Sequence, residues 1–383
     1  MASILSIAKK LNKMYDEEIC IRGDVIPKVN FMPTGALAAD YSLGGGFPKG
    51  RIIQISGRPH AGKTTFTFTA IAAYQRENPD SMCVYIDVEH AIDIDFQCAM
   101  THVDREKLIY VSPTRMGAEA IFDMVLEMQE AEDIGMIVID SVAALASTRQ
   151  LNADIEKDLG QAGNIAKSLH NFCRQVQDLV YYKKNILVLI NQTRTTPLPN
   201  GALSFSEPGG TAMGFYPSLS IRCGTRKFIN KSGAETTNGE DAIGFKIVFN
   251  IFKNKVSNIS RGGGYITYKY DTGIDTSSDA IDIAIKAGYI HRPTNVTYQI
   301  VDLETGEILT VDGTECSFRG KPALVEFFNT HPEFTQEYVK KINNALAGNK
   351  EVNLELLDKD VLNELRAEEN SVENNNVKDI EWL

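Results

Sequence analysis

Gly57-Arg58-Pro59-His60-Ala61-Gly62-Lys63-Thr64-Thr65 constrains this chain more than any other stretch, because a glycine, four residues and Gly-Lys-Thr fit a phosphate-cradling loop. Such a loop works only between a strand and a helix, where backbone N–H groups and the helix dipole favour negative charge. Both flanks comply. Arg51-Ile52-Ile53-Gln54-Ile55-Ser56 reads as a buried strand, and Thr64 to Gln75 reads as a helix. In that setting Lys63 reaches the β- and γ-phosphates of a nucleotide and the Thr64 hydroxyl sits on Mg²⁺. A chance glycine turn before a helix would not require all three parts to agree.

The chain on either side repeats the strand-helix alternation. Met82 to Asp87 reads as a second strand and Leu108 to Ser112 as a third. Met136-Ile137-Val138-Ile139-Asp140-Ser141 is an apolar strand ending in an acid, the pattern in which Asp140 holds Mg²⁺ directly or through water. A helix over Gly163 to Tyr182 and a strand from Ile186 to Asn191, ending at Gln192, complete a fourth unit. Alternation of this kind predicts an α/β fold with a doubly wound, mostly parallel sheet and ligands at the carboxyl ends of its strands. Glu89 follows the second strand at once, where a carboxylate can orient or deprotonate an attacking water; a solvated or capping glutamate is the competing reading.

Pro197, Pro199, Asn200, Gly201, Pro208, Gly209 and Gly210 break the pattern from Thr193 to Thr211, which reads as a loop far longer than usual, with Phe205 as an aromatic within it. Ser218 to Arg222, Ala242 to Phe252 and Tyr265 to Tyr270 read as strands added antiparallel to the sheet. Residues 271–346 read as a small αβ unit with helices at Ser278 to Ala287, Lys321 to His331 and Glu337 to Leu346. At the other end, Ile4, Ile7, Ala8, Leu11 and Met14 form an apolar stripe with Lys9, Lys10 and Lys13 beside it. That short amphipathic helix must bury its stripe on a neighbouring subunit or on its own core.

With 43% hydrophobic and 23% charged residues among 383, the chain reads as soluble and globular. No apolar run approaches the length of a membrane span, and Met1 to Lys13 lacks the apolar core of a signal peptide, so a cytosolic location is expected. The six cysteines include no Cys-x-x-Cys pair, which favours buried thiols over disulfides or zinc. A net charge of −11 looks wrong for a nucleic-acid binder, yet residues 351–383 hold ten acids and three bases. That tail carries −7 and leaves −4 for the rest, so a basic inner surface is compatible with the composition. The tail itself reads as disordered.

Taken together, Gly57 to Thr65, Tyr85 to Asp93, Val138 to Leu145, Ile190-Asn191-Gln192 and Lys253-Asn254-Lys255 resemble, in order and spacing, the RecA-type DNA strand-exchange recombinases of bacteria and phages. The resemblance covers residues 1–346 and implies an N-terminal oligomerisation helix and linker (1–33), a RecA-like ATPase core (34–270), a small C-terminal domain (271–346) and an acidic tail (347–383). It implies an ATPase that binds ATP and Mg²⁺, forms helical filaments on single-stranded DNA and pairs it with homologous duplex DNA. Single-stranded-DNA-binding and loader proteins are implied partners, and the bacterial cytosol, or a host cytosol for a virus-encoded chain, is the implied location. By position, Glu89 is similar to the family's water-activating glutamate, Phe96 to the aromatic on the adenine with Asp93 near it, and Gln192 to the γ-phosphate sensor. Lys253 and Lys255 resemble the pair that reaches the ATP of the adjacent subunit. The first DNA-binding loop falls on Glu156 to Ile165, with Gly160, Gly163 and Asn164, and the second on Thr193 to Thr211, with Arg194, Phe205, Gly209 and Gly210.

Two departures stand out. Pro197-Leu198-Pro199 interrupts the run in which the family often carries an aliphatic wedge, and Phe245 to Phe252 is poor in bases where the family usually has them. A ring-forming helicase or a signalling ATPase on the same fold is the rival reading. Lysines at 253 and 255, in place of a trans-acting arginine, and the unit at 271–346 favour the filament.

Overall fold

Strands that are apolar without interruption need cover on both faces, and the computed structural model of this chain supplies it. It describes residues 3–16, 18–26, 28–152, 163–197, 203–230, 235–237, 239–257, 262–302 and 305–347. The acidic tail, residues 198–202 and Glu156 and Gly160 of the first expected DNA-binding loop lie outside them. Two units are present, Met1–Asn30 and the remainder from Phe31. The first contains α1 (Ile4–Tyr15), N-capped by Ser3, with Asn12 holding both the N–H and the carbonyl of Cys20. No residue of α1 is buried.

The second unit begins with α2 (Leu37–Leu43) and continues through β1 (Arg51–Gly57), α3 (Lys63–Glu77), β2 (Met82–Asp87), α4 (Ile94–Thr101), β3 (Leu108–Val111), α5 (Ala118–Gln129) and β4 (Ile134–Asp140). Next come α6 (Gly163–Lys183), β5 (Ile186–Gln192), β6 (Arg194–Pro197), β7 (Leu203–Ser206), α7 (Thr211–Phe215), β8 (Leu219–Cys223), β9 (Gly244–Asn254) and β10 (Gly263–Lys269). Among the described residues the main sheet has eleven strands, with β8-β1-β5-β4-β2-β3 parallel in that order and β9 and β10 joined antiparallel beyond β8. Residue alternation assigns the faces. Ile53 and Ile55 of β1 pack with Phe66, Phe68 and Ile71 of α3, whereas Ile52 points to the opposite layer with Leu187, Leu189, Phe122 and Phe172. Phe122 and Phe172 stack at 4.4 Å and lock α5 to α6. Each such fully buried side chain is worth about 1.5–3 kcal/mol.

The parallel register aligns the strand ends that matter. Gly57 is opposite Gln192 on one side and Cys223 on the other, and Asp87 is opposite Asp140. Parallel pairing of β8 with β1 corrects the expectation that this strand would be antiparallel; the connection from β5 carries the chain back across the sheet before β8 starts, so the two run the same way. The segment 193–211 also differs from an irregular loop. Thr195 pairs with Phe205 and Thr196 with Ser204 in an antiparallel ribbon of two short strands.

The C-terminal unit has α8 (Thr276–Lys286), a sheet of β11 (Ile290–Thr294), β12 (Thr297–Ile300) and β13 (Ser317–Arg319), then α9 (Lys321–Thr330) and α10 (Pro332–Ala347). Helix α10 starts at Pro332, earlier than its apolar spacing suggests, because proline has no N–H to lose in a first turn. The core of this unit includes Leu37, Ala38 and Tyr41 of α2. All six cysteines are free, and five of them are buried.

Two buried acids sit where α2 meets α8. Asp279 Oδ2 accepts from the Ala38 N–H at 3.2 Å, and Asp40 Oδ1 accepts from the N–H and hydroxyl of Thr34, both at 2.7 Å. Burial raises Asp40 to about 7 and Asp279 to about 8. Both acids are therefore protonated in the fold while the unfolded chain has already released its protons, so stability falls as pH rises from about 4 to about 8. Asp279→Asn keeps an acceptor for Ala38 and cannot ionise. Its melting temperature, measured against pH, is expected to fall less over that range than that of the native chain; an unchanged slope would remove Asp279 from the account.

Candidate active site

The phosphate loop closes where β1 hands over to α3. Gly62 caps α3 in the left-handed region at φ +87°, and a Cβ there would stand 2.4 Å from Ile247 Cδ1, so only glycine fits. His60 also has positive φ, and Arg58, Pro59 and His60 are exposed while Ala61 is buried. Lys63 Nζ donates to the carbonyls of Gly57 and Arg58 at 3.2 and 2.9 Å, which folds the loop around the ammonium. Burial lowers the Lys63 pKa, opposed by the nearby Asp140 and Glu89 carboxylates. Thr65 is buried on the first turn of α3.

Across from it, the Thr64 hydroxyl donates to Asp140 Oδ2 at 3.0 Å, and the Tyr85 hydroxyl donates to the same oxygen. Asp140 is raised by burial, with the Tyr85 hydrogen bond opposing. Glu89 Oε1 accepts from the Ser141 hydroxyl and from Gln192 Nε2, the latter at 2.7 Å. Asp87 is buried beside this group, accepting from the His90 N–H and the Tyr110 hydroxyl, each at 2.8 Å. The structure thus brings Lys63, Thr64, Asp140, Glu89 and Gln192 to one rim of the sheet.

The remaining expected residues lie around that rim or away from it. Phe96 is 55% exposed on α4, and the Asp93 carboxylate caps that helix by accepting from the Phe96 N–H at 3.0 Å. Lys253 and Lys255 are at the other end. Lys253 is opposite Ser220 and its neighbour Asn254 opposite Leu219, which pairs with Ile53, four residues before Gly57. Ser220 itself pairs with Gln54, so at about 3.3 Å per residue Lys253 stands about 10 Å along the strands from Gly57, and Lys255 more than about 13 Å. There Lys253 donates to the carbonyls of Gly214 and Phe215 at 2.6 and 3.2 Å, and Lys255 to Phe215 at 3.3 Å. Desolvation and the neighbouring Lys255 lower Lys253 to about 8.

Of the two expected DNA-binding segments, Gly163 and Asn164 open α6 and Ile165 is half-buried. Arg194 is exposed at the start of the ribbon, and Phe205 lies on its returning strand, opposite Thr195. Gly209 and Gly210, both at positive φ, lead to Thr211 at the start of α7. A Cβ on Gly209 would meet Met213 Cγ at 2.7 Å and Leu169 Cδ2 at 2.8 Å, and one on Gly210 would meet Ala166 Cβ at 3.1 Å, so this turn packs on α6. Ser141, Asp87, Asn191 and Tyr85 were not singled out from sequence. Ser141 directly follows Asp140, a signal that could have found it; the others need the strand register.

A family model of the RecA N-terminal domain matches residues 3–275. The chain belongs to the RecA family. It is similar to Protein RecA of Thermus thermophilus, 29% identical over 339 residues covering 87% of this chain and 91% of that protein. Protein RecA of Campylobacter jejuni strain 81-176 is 29% identical over 353 residues, and that of Campylobacter lari 31% identical over 353, each covering 90% of this chain and 93% of the relative. The match is to nearly the whole of these RecA proteins, and it spans every element of the rim. No helix among the described residues is long and apolar enough to cross a membrane.

The RecA core also fits a nucleotide with its metal. Lys63 is held by carbonyls and not by a carboxylate, and Gly62 lets the loop backbone turn tightly over Ile247 into the first turn of α3, where unpaired N–H groups favour an anion. Thr64 and Asp140 offer hard oxygen donors suited to Mg²⁺. Among the described residues no group of three or more His, Cys, Asp or Glu converges on a metal, so phosphate oxygens and water would have to complete the shell.

Proposed function

We propose that this chain is an ATP-dependent DNA recombinase that assembles on single-stranded DNA and exchanges it with a homologous duplex. The observation that carries the reading is the contact of Glu89 with Gln192, because it ties the candidate water-activating carboxylate to the residue that opens the β6–β7 ribbon. Bound ATP with Mg²⁺ supplies an electrophilic γ-phosphoryl group and the charge compensation its transfer needs. Lys63, Thr64 and Asp140 hold it, and Glu89 takes the proton of the attacking water. Ser141 and Gln192 keep that carboxylate aimed at the rim.

The same groups reach the DNA-binding side. Thr193 N–H donates to the Gly57 carbonyl at 3.1 Å, and Asn191 Nδ2 donates to the Pro208 carbonyl at 2.8 Å, so both ends of the ribbon are pinned to the strands of the nucleotide site. A ligand that draws Gln192 away from Glu89 moves the ribbon, and with it the Gly209-Gly210 turn on α6, whose first residues belong to the other DNA-binding segment. Backbone N–H groups and Arg194 grip phosphates without reading bases. Two ammonium groups crowded at Lys253 and Lys255 have no anion between them among the described residues, and the triphosphate of the next protomer provides one. The exposed stripe of Ile4, Leu5 and Ile7 on α1 gives that protomer a second contact.

Hydrolysis measured with and without single-stranded DNA, with assembly followed by light scattering, tests the reading. DNA-stimulated turnover, ATP-dependent filaments and exchange of a labelled homologous strand are expected. Closed rings, or turnover indifferent to DNA, would overturn it in favour of a motor or signalling ATPase.

A further inference from the structure

Tyr85 is fully buried in the middle of β2, where its alternation with Asp87 would allow any large apolar side chain. It carries a hydroxyl instead, and that hydroxyl is donated to Asp140 Oδ2, the oxygen that also accepts from Thr64 Oγ1 at 3.0 Å. The ring cannot swing away. Phe68 of α3 lies against it at 4.7 Å between centroids, and β3 and β4 flank it, with Tyr110 and Val138 at the paired positions. A buried phenol needs a partner, and here the fixed ring dictates where the partner oxygen must be.

We propose that Tyr85 is a positioning residue for the Thr64–Asp140 pair, setting the carboxylate for the metal; this rests on reading the rim as a Mg²⁺-nucleotide site. An aspartate's terminal torsion is broad and roughly two-fold, so the strand end alone does not fix which way its oxygens face. The Thr64 bond cannot do so independently, because the same hydroxyl would be called on as a metal ligand. Tyr85 supplies an anchor that does not touch the metal. With it, Oδ2 is held and the carboxylate has one orientation before a metal arrives; without it, the metal would have to order the carboxylate as it binds. Outer partners of this sort are worth about 10- to 100-fold in metal affinity.

The test is Tyr85→Phe, which removes one oxygen and keeps the ring. Binding of ADP is titrated with Mg²⁺, and ADP binding without Mg²⁺ and the melting temperature are measured beside it. The Mg²⁺ midpoint is expected to rise about 10-fold or more, with Mg²⁺-free ADP affinity unchanged. Tyr268→Phe is the control: its hydroxyl, equally buried, bonds Thr69 of the same helix α3 at 2.8 Å, so its loss reports stability alone. A native midpoint in Tyr85→Phe, or an equal rise in Tyr268→Phe, would overturn the role. ADP binding to the native chain that ignores Mg²⁺ would instead overturn the reading of the site beneath it.

Discussion

Glu89→Gln is expected to lower DNA-stimulated ATP hydrolysis by about 10²- to 10⁴-fold while assembly on single-stranded DNA survives. The substitution changes little but the proton affinity. A glutamine oxygen still accepts from the Ser141 hydroxyl, and its shape keeps the place beside Gln192. Lys63, Thr64 and Asp140 are untouched, so nucleotide binding is retained. What disappears is the acceptor for the proton of the attacking water. With hydrolysis blocked, ATP stays bound and the ribbon stays in its ATP-bound arrangement, so filaments should also leave DNA more slowly. Phosphate release and light scattering after dilution measure the two effects separately. Turnover within about threefold of the native chain would remove Glu89 from the chemistry.

Glu89 could be picked out of the sequence because its evidence is local: it stands directly after a strand beside a phosphate loop. The same is true of Lys63, Thr64 and Asp140, whose proposed roles rest on a few neighbouring residues and the end of one strand. Groups that act through the register were not legible in this way. Nothing in Met82 to Asp87 says that Tyr85 meets Asp140, 55 residues on, or that Tyr110 meets Asp87, because those contacts depend on which strands are neighbours. Strand direction failed for the same reason at Leu219–Cys223, where local residues look alike in parallel and antiparallel pairs. The ribbon strands at 194–197 and 203–206 were obscured by the prolines and glycines of that stretch of sequence, which mark a long irregular loop and a hairpin with equal force. Lys253 and Lys255 present the opposite case. Their residue pattern is weak, and it was the likeness to the family that gave them an expected role; the register then sets them back along the strands from their own phosphate loop, by about 10 Å for Lys253.

That separation makes a mixing experiment decisive. Lys63→Ala cannot hold a nucleotide productively but keeps intact lysines at 253 and 255, whereas Lys253→Ala/Lys255→Ala keeps an intact phosphate loop. Each alone is expected to lose DNA-stimulated turnover, the first through its own site and the second through the site it would complete on a neighbour. Mixed in equal amounts, a random filament contains junctions in which intact lysines of one variant face the intact loop of the other. About a quarter of junctions are then complete, and turnover should return to about that share of the native rate. Lysines that acted on their own protomer would give no recovery at any ratio, because neither chain carries both parts. Lysines that served only to hold the Gly214 and Phe215 carbonyls would give a third result: the double variant would melt lower yet keep its turnover, since those contacts touch none of Lys63, Thr64, Asp140, Glu89 or Gln192. Recovery in the mixture therefore distinguishes a site completed between protomers from one completed within a protomer, and from a strand-end cap.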